Sequence, residues 1–188
     1  PRVFGPLFSI CVFCGSRTGT REDYLLAAEA FGRELAMRNI ALVYGGGRVG
    51  LMGAVADAAL AGGGHVTGVI PEFLREREVA HESLSECIVV DDLFERKSLM
   101  IERSDAFVAL PGGIGTLDEI LEVIAWRQLR QLSQTIGLLN VAGFFDRWFE
   151  LLEHLTEEGF VGEEELAHII VRSQPCLLLD ALMESSST

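Results

Sequence analysis

Positive charge is scarce in this sequence. Among 188 residues, 15 Lys and Arg face 28 Asp and Glu, for a formal net charge of −13, and Lys97 is the one lysine. Nucleic acid and anionic membrane surfaces are therefore excluded as main partners, since both are bound through clustered Lys and Arg that release counterions. An anionic small molecule would need a local cationic pocket. Long hydrophobic runs are also lacking. The apolar stretches are too short or too broken by glycine to span a membrane, and no signal-peptide core follows the first residues, so a cytoplasmic protein is expected. The sequence begins at Pro1 rather than Met, which leaves room for residues ahead of it.

Metal-binding patterns are missing as well. His65, His81, His154 and His168 are scattered with no H-E-x-x-H spacing, and no second C-x-x-C accompanies Cys11 and Cys14, so no metal and no cofactor are expected. The Cys pair lies in "SICVFC", which reads as a strand. Residues three apart on a strand point to opposite faces, so both thiols are expected as reduced core residues rather than as a redox or zinc pair.

What is present is an alternation. The length fits a single domain over residues 1–188 with a core that needs no disulfide, ending in a polar tail near 184–188. Apolar, β-branched runs occur at 8–13, 40–44, 65–70, 86–90, 105–110 and 135–139. Between them lie segments of helical period at 22–38, 51–61, 92–103, 117–130 and 146–157; in the first, Tyr24, Ala28, Phe31 and Leu35 make one stripe. Strands apolar throughout, alternating with helices, predict a doubly wound α/β domain with a mainly parallel sheet flanked by helices. Its ligand belongs at the carboxyl ends of the strands, beside the switch point.

Two glycine-rich turns follow strands. "YGGGRVGLMG" (44–53) carries G-x-G-x-x-G at Gly45, Gly47 and Gly50, with Glu72 roughly where a ribose-binding acid would stand. It opens the second βα unit, however, whereas an NAD(P) fingerprint opens the first, and glycines for close helix–sheet packing explain it as well. "LPGGIGTLDE" (110–119) lacks the G-K-[ST] of a triphosphatase loop but has the makings of an anion seat, with small residues and a helix N-terminus behind them. Thr116 and Glu119 also spell T-x-x-E, a capping box. Spacing leaves Glu119 open between a cap and a catalytic carboxylate. Upstream, Arg96 either pairs with Asp92 on a solvated helix face or turns inward as a permanently charged fork for phosphate or a purine edge.

"ERKSLMIERSDAFVALPGGIGTLDEILEVIAWRQL" together with "GGGRVGLMG" resembles the Lonely Guy family, cytokinin-activating phosphoribohydrolases once widely labelled lysine decarboxylases. The similarity runs from about 12–16 to 157–161. The resemblance implies a Rossmann-like homodimer that hydrolyses the N-glycosidic bond of a nucleoside 5′-monophosphate, AMP or an N6-substituted AMP, to free base and ribose 5-phosphate. It implies Arg96 and Glu119 as catalytic residues. Glu78, Lys97, Gly112, Gly113, Gly115 and Thr116, with Ser16 and Gly46, fall on substrate-binding positions. The family often has His where Phe94 stands, Ser at Arg17 and an aromatic residue at Ile114. The older decarboxylase label would require a pyridoxal phosphate lysine, and Lys97 is the forced candidate. A non-catalytic nucleotide or cofactor carrier on the same fold, with Glu119 a cap, is the rival of another class. The apolar stretch "ILEVIAWRQL" (120–129), notably Trp126, exceeds one helix face and points to the homodimer contact.

Overall fold

A computed structural model describes residues 7–75 and 80–185, so the expected substrate residue Glu78 lies outside the described residues. Among the described residues, seven strands form one sheet: β1 (Ser9–Phe13), β2 (Ala41–Tyr44), β3 (Val66–Pro71), β4 (Glu86–Val90), β5 (Ala106–Ala109), β6 (Thr135–Leu139) and β7 (Ile169–Arg172). All pairs are parallel in the order β4-β3-β2-β1-β5-β6-β7, so the chain reverses its direction of travel between β1 and β5. That is the doubly wound, Rossmann-like arrangement, and its crevice opens at the ends of β1 and β5.

Alternation along each strand divides the core in two. Ile10, Val12 and Cys14 pack with Phe31, Leu35, Val55 and Leu179 on one face, beneath α1 (Glu22–Met37), α2 (Gly50–Ala61) and the C-terminal helix. Cys11, Phe13 and Phe107 pack with Met100, Ile120, Val123 and Trp148 on the other, beneath α3 (Leu93–Glu102), α4 (Ile114–Gln128) and α5 (Asp146–Glu157). The two thiols of the C-x-x-C therefore sit in different layers, both buried and free. α1 and α2 approach until a methyl on Gly32 would overlap the Val55 carbonyl, a contact only glycine permits. The last helices among the described residues are the four-residue α6 (Glu163–Leu166) and α7 (Pro175–Ser185). No helix among the described residues is long and apolar enough to cross a membrane.

Three features depart from expectation. β7 adds a strand at one edge, where Ile169, Ile170 and Val171 are half-buried. α4 begins at Ile114 rather than 117. Trp126 is half-buried against the second core layer; the large apolar residues exposed here are Ile114 and Leu121 on α4 and Leu129 at its C-cap.

Candidate active site

The crevice at the switch point holds a cavity of about 550 Å³, walled by the turns after β1, β2 and β5. Those turns are tied to one another. The Gly15 N–H donates to Pro111 O at 3.0 Å, and Leu51 N–H donates to Gly15 O at 3.0 Å, joining the start of α2 to both loops. Gly112 lies so close to Thr116 Oγ1 and the Gly15 backbone that any side chain would overlap them. Ser16, Gly112, Gly113, Gly115, Thr116, Glu119 and Arg96 all line this one cavity. The turns after β1 and β5, 96 residues apart at the paired Phe13 and Ala109, thus converge because β1 and β5 are neighbours.

At the head of α4, Gly113 is the N-cap and offers no side-chain cap. The first intrahelical bond is Leu117 N–H to Gly113 O at 3.1 Å, which leaves the N–H groups of Ile114, Gly115 and Thr116 at the positive end of the helix, ahead of that ladder. Thr116 is therefore the third helical residue and is buried; it is not an N-cap. The capping-box reading of T-x-x-E is overturned, because Glu119 falls in the second turn, beyond reach of the helix start. Gly115 and Glu119, four apart, share a helix face. Four residues of rise set Glu119 about 6 Å along the axis behind the exposed N–H groups.

Arg96 also turns inward. Asp92 does not pair with it but caps α3, accepting from Glu95 N–H at 2.8 Å, while the Glu95 carboxylate accepts from Asp91 N–H at 2.9 Å. The solvated Asp92–Arg96 pair is thereby replaced by a guanidinium that is 6% exposed, donating from Nε to Val69 O at 3.0 Å and from Nη2 to Gly45 O at 2.6 Å. The first carbonyl lies within β3 and the second directly follows β2. A methyl on Gly45 would overlap Nη2. The glycines of G-x-G-x-x-G are thus taken up by the protein itself: Gly45 by Arg96, and Gly50, at φ +58°, by the Ser16–Arg17 backbone. For Gly45 and Gly50 that is the packing explanation.

Lys97 goes elsewhere. Its ammonium pairs with Glu122 at 2.5 Å and Asp118 at 3.3 Å, and it is not among the cavity-lining residues. Burial pulls it toward neutrality, but Glu122 and then Asp118 outweigh that and hold its pKa above the ordinary value. A Schiff-base lysine needs the reverse, so the one lysine does not fit a pyridoxal cofactor. Gly46, at φ +78°, lies behind the cavity wall and accepts from His81 N–H at 3.0 Å. Arg17 and Ile114 line the cavity, whereas Phe94 is 77% exposed on α3.

Lining residues to which the sequence reading assigns no role at the site are Leu51, Met52, Met100, Tyr24 and Phe144. Four of them are purely apolar or thioether side chains, and Tyr24 stands in the apolar stripe of α1, so spacing gave no sign of a site. Cys14 also faces the cavity, where burial and then the Glu119 charge push its thiol far above the ordinary range and so disfavour the thiolate.

A family model described as "Possible lysine decarboxylase" matches residues 52–182. The chain belongs to this family. Among the similar curated members is a probable cytokinin riboside 5′-monophosphate phosphoribohydrolase of Oryza sativa subsp. japonica, 48% identical over 94% of this chain and 72% of the relative. A cytokinin riboside 5′-monophosphate phosphoribohydrolase of Arabidopsis thaliana is 49% identical over 86% of this chain and 76% of its own. Among solved structures, the molybdenum cofactor carrier protein of Chlamydomonas reinhardtii superposes with a TM-score of 0.74 at 20% identity, covering 97% of this chain and 100% of its own. A molybdenum cofactor binding protein from Rippkaea orientalis gives 0.69 at 18%, covering 100% of each chain. At such identity these structures share with the family member described here a fold alone.

Proposed function

We propose that the chain hydrolyses the N-glycosidic bond of a nucleoside 5′-monophosphate, AMP or an N6-substituted AMP, releasing the base and ribose 5-phosphate. The observation that carries this reading is the convergence of Glu119, buried Arg96 and the uncapped head of α4 on one cavity, in a chain whose curated relatives bear that activity in their names. The 5′-phosphate takes the N–H groups of residues 113–116. Glu119, about 6 Å further along α4, then faces the anomeric carbon. As the C1′–N9 bond breaks, its electron pair leaves with the purine, and the oxocarbenium-like sugar is stabilised by the carboxylate. Water supplies the new C1′–O bond and its proton ends on the base.

Two roles are open to Arg96, phosphate clamp or partner of the departing base, and its anchorage favours the second. It is fixed to Gly45 O, just past the end of β2, and to Val69 O within β3, and β2 lies two strands, about 10 Å, from β5, where the phosphate seat begins. A permanent positive charge there meets the negative charge that grows on the purine. Leu51, Met52 and Met100 give the base apolar contacts at that end.

Exposed Leu93 and Phe94 on α3, Ile114 and Leu121 on α4 and Leu129 at the α4 C-cap support a homodimer through these helices. Free thiols at Cys11, Cys14, Cys87 and Cys176 fit a cytoplasmic location. The deciding experiment incubates the purified protein with AMP and with N6-isopentenyl-AMP and follows free base by chromatography. Adenosine is the control: losing the phosphate should cost most of kcat/KM. A protein that binds these nucleotides and releases no base would be a carrier.

A further inference from the structure

The proposed mechanism uses no histidine, yet His81 is 3% exposed and both ring nitrogens are engaged. Nδ1 accepts from the Ser83 N–H at 3.2 Å, which fixes the proton on Nε2, and Nε2–H donates to Asp57 Oδ1 at 2.9 Å. Asp57 is on α2, the helix that starts from the glycine-rich turn after β2. The imidazole therefore bolts residues 80–84 to α2. Those residues in turn grip the turn itself: His81 N–H donates to Gly46 O at 3.0 Å, Ala80 bridges Gly47, and Leu84 packs over Gly68, whose Cα side faces Gly46. Tyr44 adds a bond from its hydroxyl to Gly47 O at 3.0 Å. The next carbonyl along, Gly45 O, is the one that receives Arg96 Nη2.

We propose that His81, through Asp57, is a positioning residue for Arg96: it fixes the 45–47 turn and so the place of the guanidinium in the cavity. The inference rests on the function proposed above and adds to it a residue that touches no substrate. The fit at Gly45 leaves no room for even a methyl, so a small displacement of the turn relocates the guanidinium. Because Arg96 is assigned to charge that appears on the leaving base, misplacing it should lower kcat more than it raises KM.

The test uses two positions. His81→Phe keeps the ring volume and loses both side-chain bonds. Asp57→Ala removes the anchor at a side chain that is 54% exposed, so it leaves no core cavity; Asp57→Asn keeps an acceptor for Nε2–H. With AMP as substrate, His81→Phe and Asp57→Ala should each lower kcat by about tenfold with KM within about threefold of the parent, and Asp57→Asn should restore most of the loss. Each change is then combined with Arg96→Lys. If His81 acts through Arg96, the second substitution should add less than about twofold to the loss from Arg96→Lys alone. Full multiplication of the two losses, or parental kcat in a folded Asp57→Ala protein, would overturn the assignment. An inactive parent protein would instead dismiss the hydrolase reading, and the two failures are thereby distinct.

Discussion

Arg96 Nη2 donates to the Gly45 carbonyl at 2.6 Å, and the guanidinium fills the space where a Gly45 side chain would stand. The glycine in β2's turn and the arginine on α3 are one unit, separated by 51 residues of chain. Gly45→Ala tests the unit. The overlapping atom is the tip of a flexible side chain, so the fold should tolerate the methyl while the guanidinium shifts. A melting temperature within a few degrees of the parent with kcat lowered on the order of tenfold or more is expected; steady-state kinetics with AMP and a thermal melt check it.

Glu119→Gln separates the carboxylate from the helix. Since Gly113 is the N-cap of α4 and Thr116 is its third residue, Glu119 contributes no cap, and the isosteric amide should leave the melting temperature near that of the parent. Loss of the charge should lower kcat by about 100-fold or more, with nucleotide binding retained. Parental turnover in the folded variant would remove Glu119 from the mechanism.

Much of this site is legible in the sequence, and the misreadings have physical causes. Six strands are apolar runs alternating with helices, which implies a parallel, doubly wound sheet; that the switch falls between β1 and β5 is set by the strand order. β7 escapes because "IIVR" sits at the sheet edge, half-buried, beside a polar stretch. T-x-x-E misleads because the helix starts as soon as the chain clears Pro111–Gly113, so Thr116 turns inward against Gly112 and the cap position falls to a residue with no side chain. Trp126 misleads because composition cannot say which flank of α4 meets the α5 layer. Arg96 is ambiguous in sequence since Asp92 lies one turn away, and only the distant carbonyls of Gly45 and Val69 decide its direction. His81 carries no motif at all, because its partners are a helix aspartate and a backbone N–H.

The buried thiols predict an alkaline weakness. Burial first, and then the charge of Glu119, raise the pKa of Cys11 and Cys14 far above the ordinary thiol value. In the unfolded chain both thiols ionise near pH 8.5 while in the folded protein they stay protonated, so above that pH the unfolded state binds fewer protons and stability falls as pH rises, by up to about 1.4 kcal/mol per unit for each thiol. Below it the contribution is fully present. Urea unfolding between pH 7 and 10 should show this decline, and Cys14→Ala, though less stable throughout, should show a shallower slope. An identical slope would refute the linkage.

The exposed apolar face of α3 and α4 predicts the assembly. Phe94 is 77% exposed, Ile114 83%, Leu121 42% and Leu129 70%, more apolar surface on adjacent helices than a monomer usually leaves in water. Lys97, Asp118 and Glu122 form a charged cluster beside them, so a two-fold contact would bury the apolar face within a polar rim. Light scattering at micromolar concentration should therefore give a mass twice the 20.6 kDa of the chain. Leu121→Asp places a carboxylate in the middle of that face, where pairing would desolvate it. It should shift the mass toward 20.6 kDa while the far-ultraviolet spectrum stays that of an α/β protein. Ile114 lines the cavity as well as this face, so activity should fall with the dimer, most at low protein concentration. A parent protein that scatters as a monomer, or a Leu121→Asp protein that remains dimeric, would place the contact elsewhere or remove it.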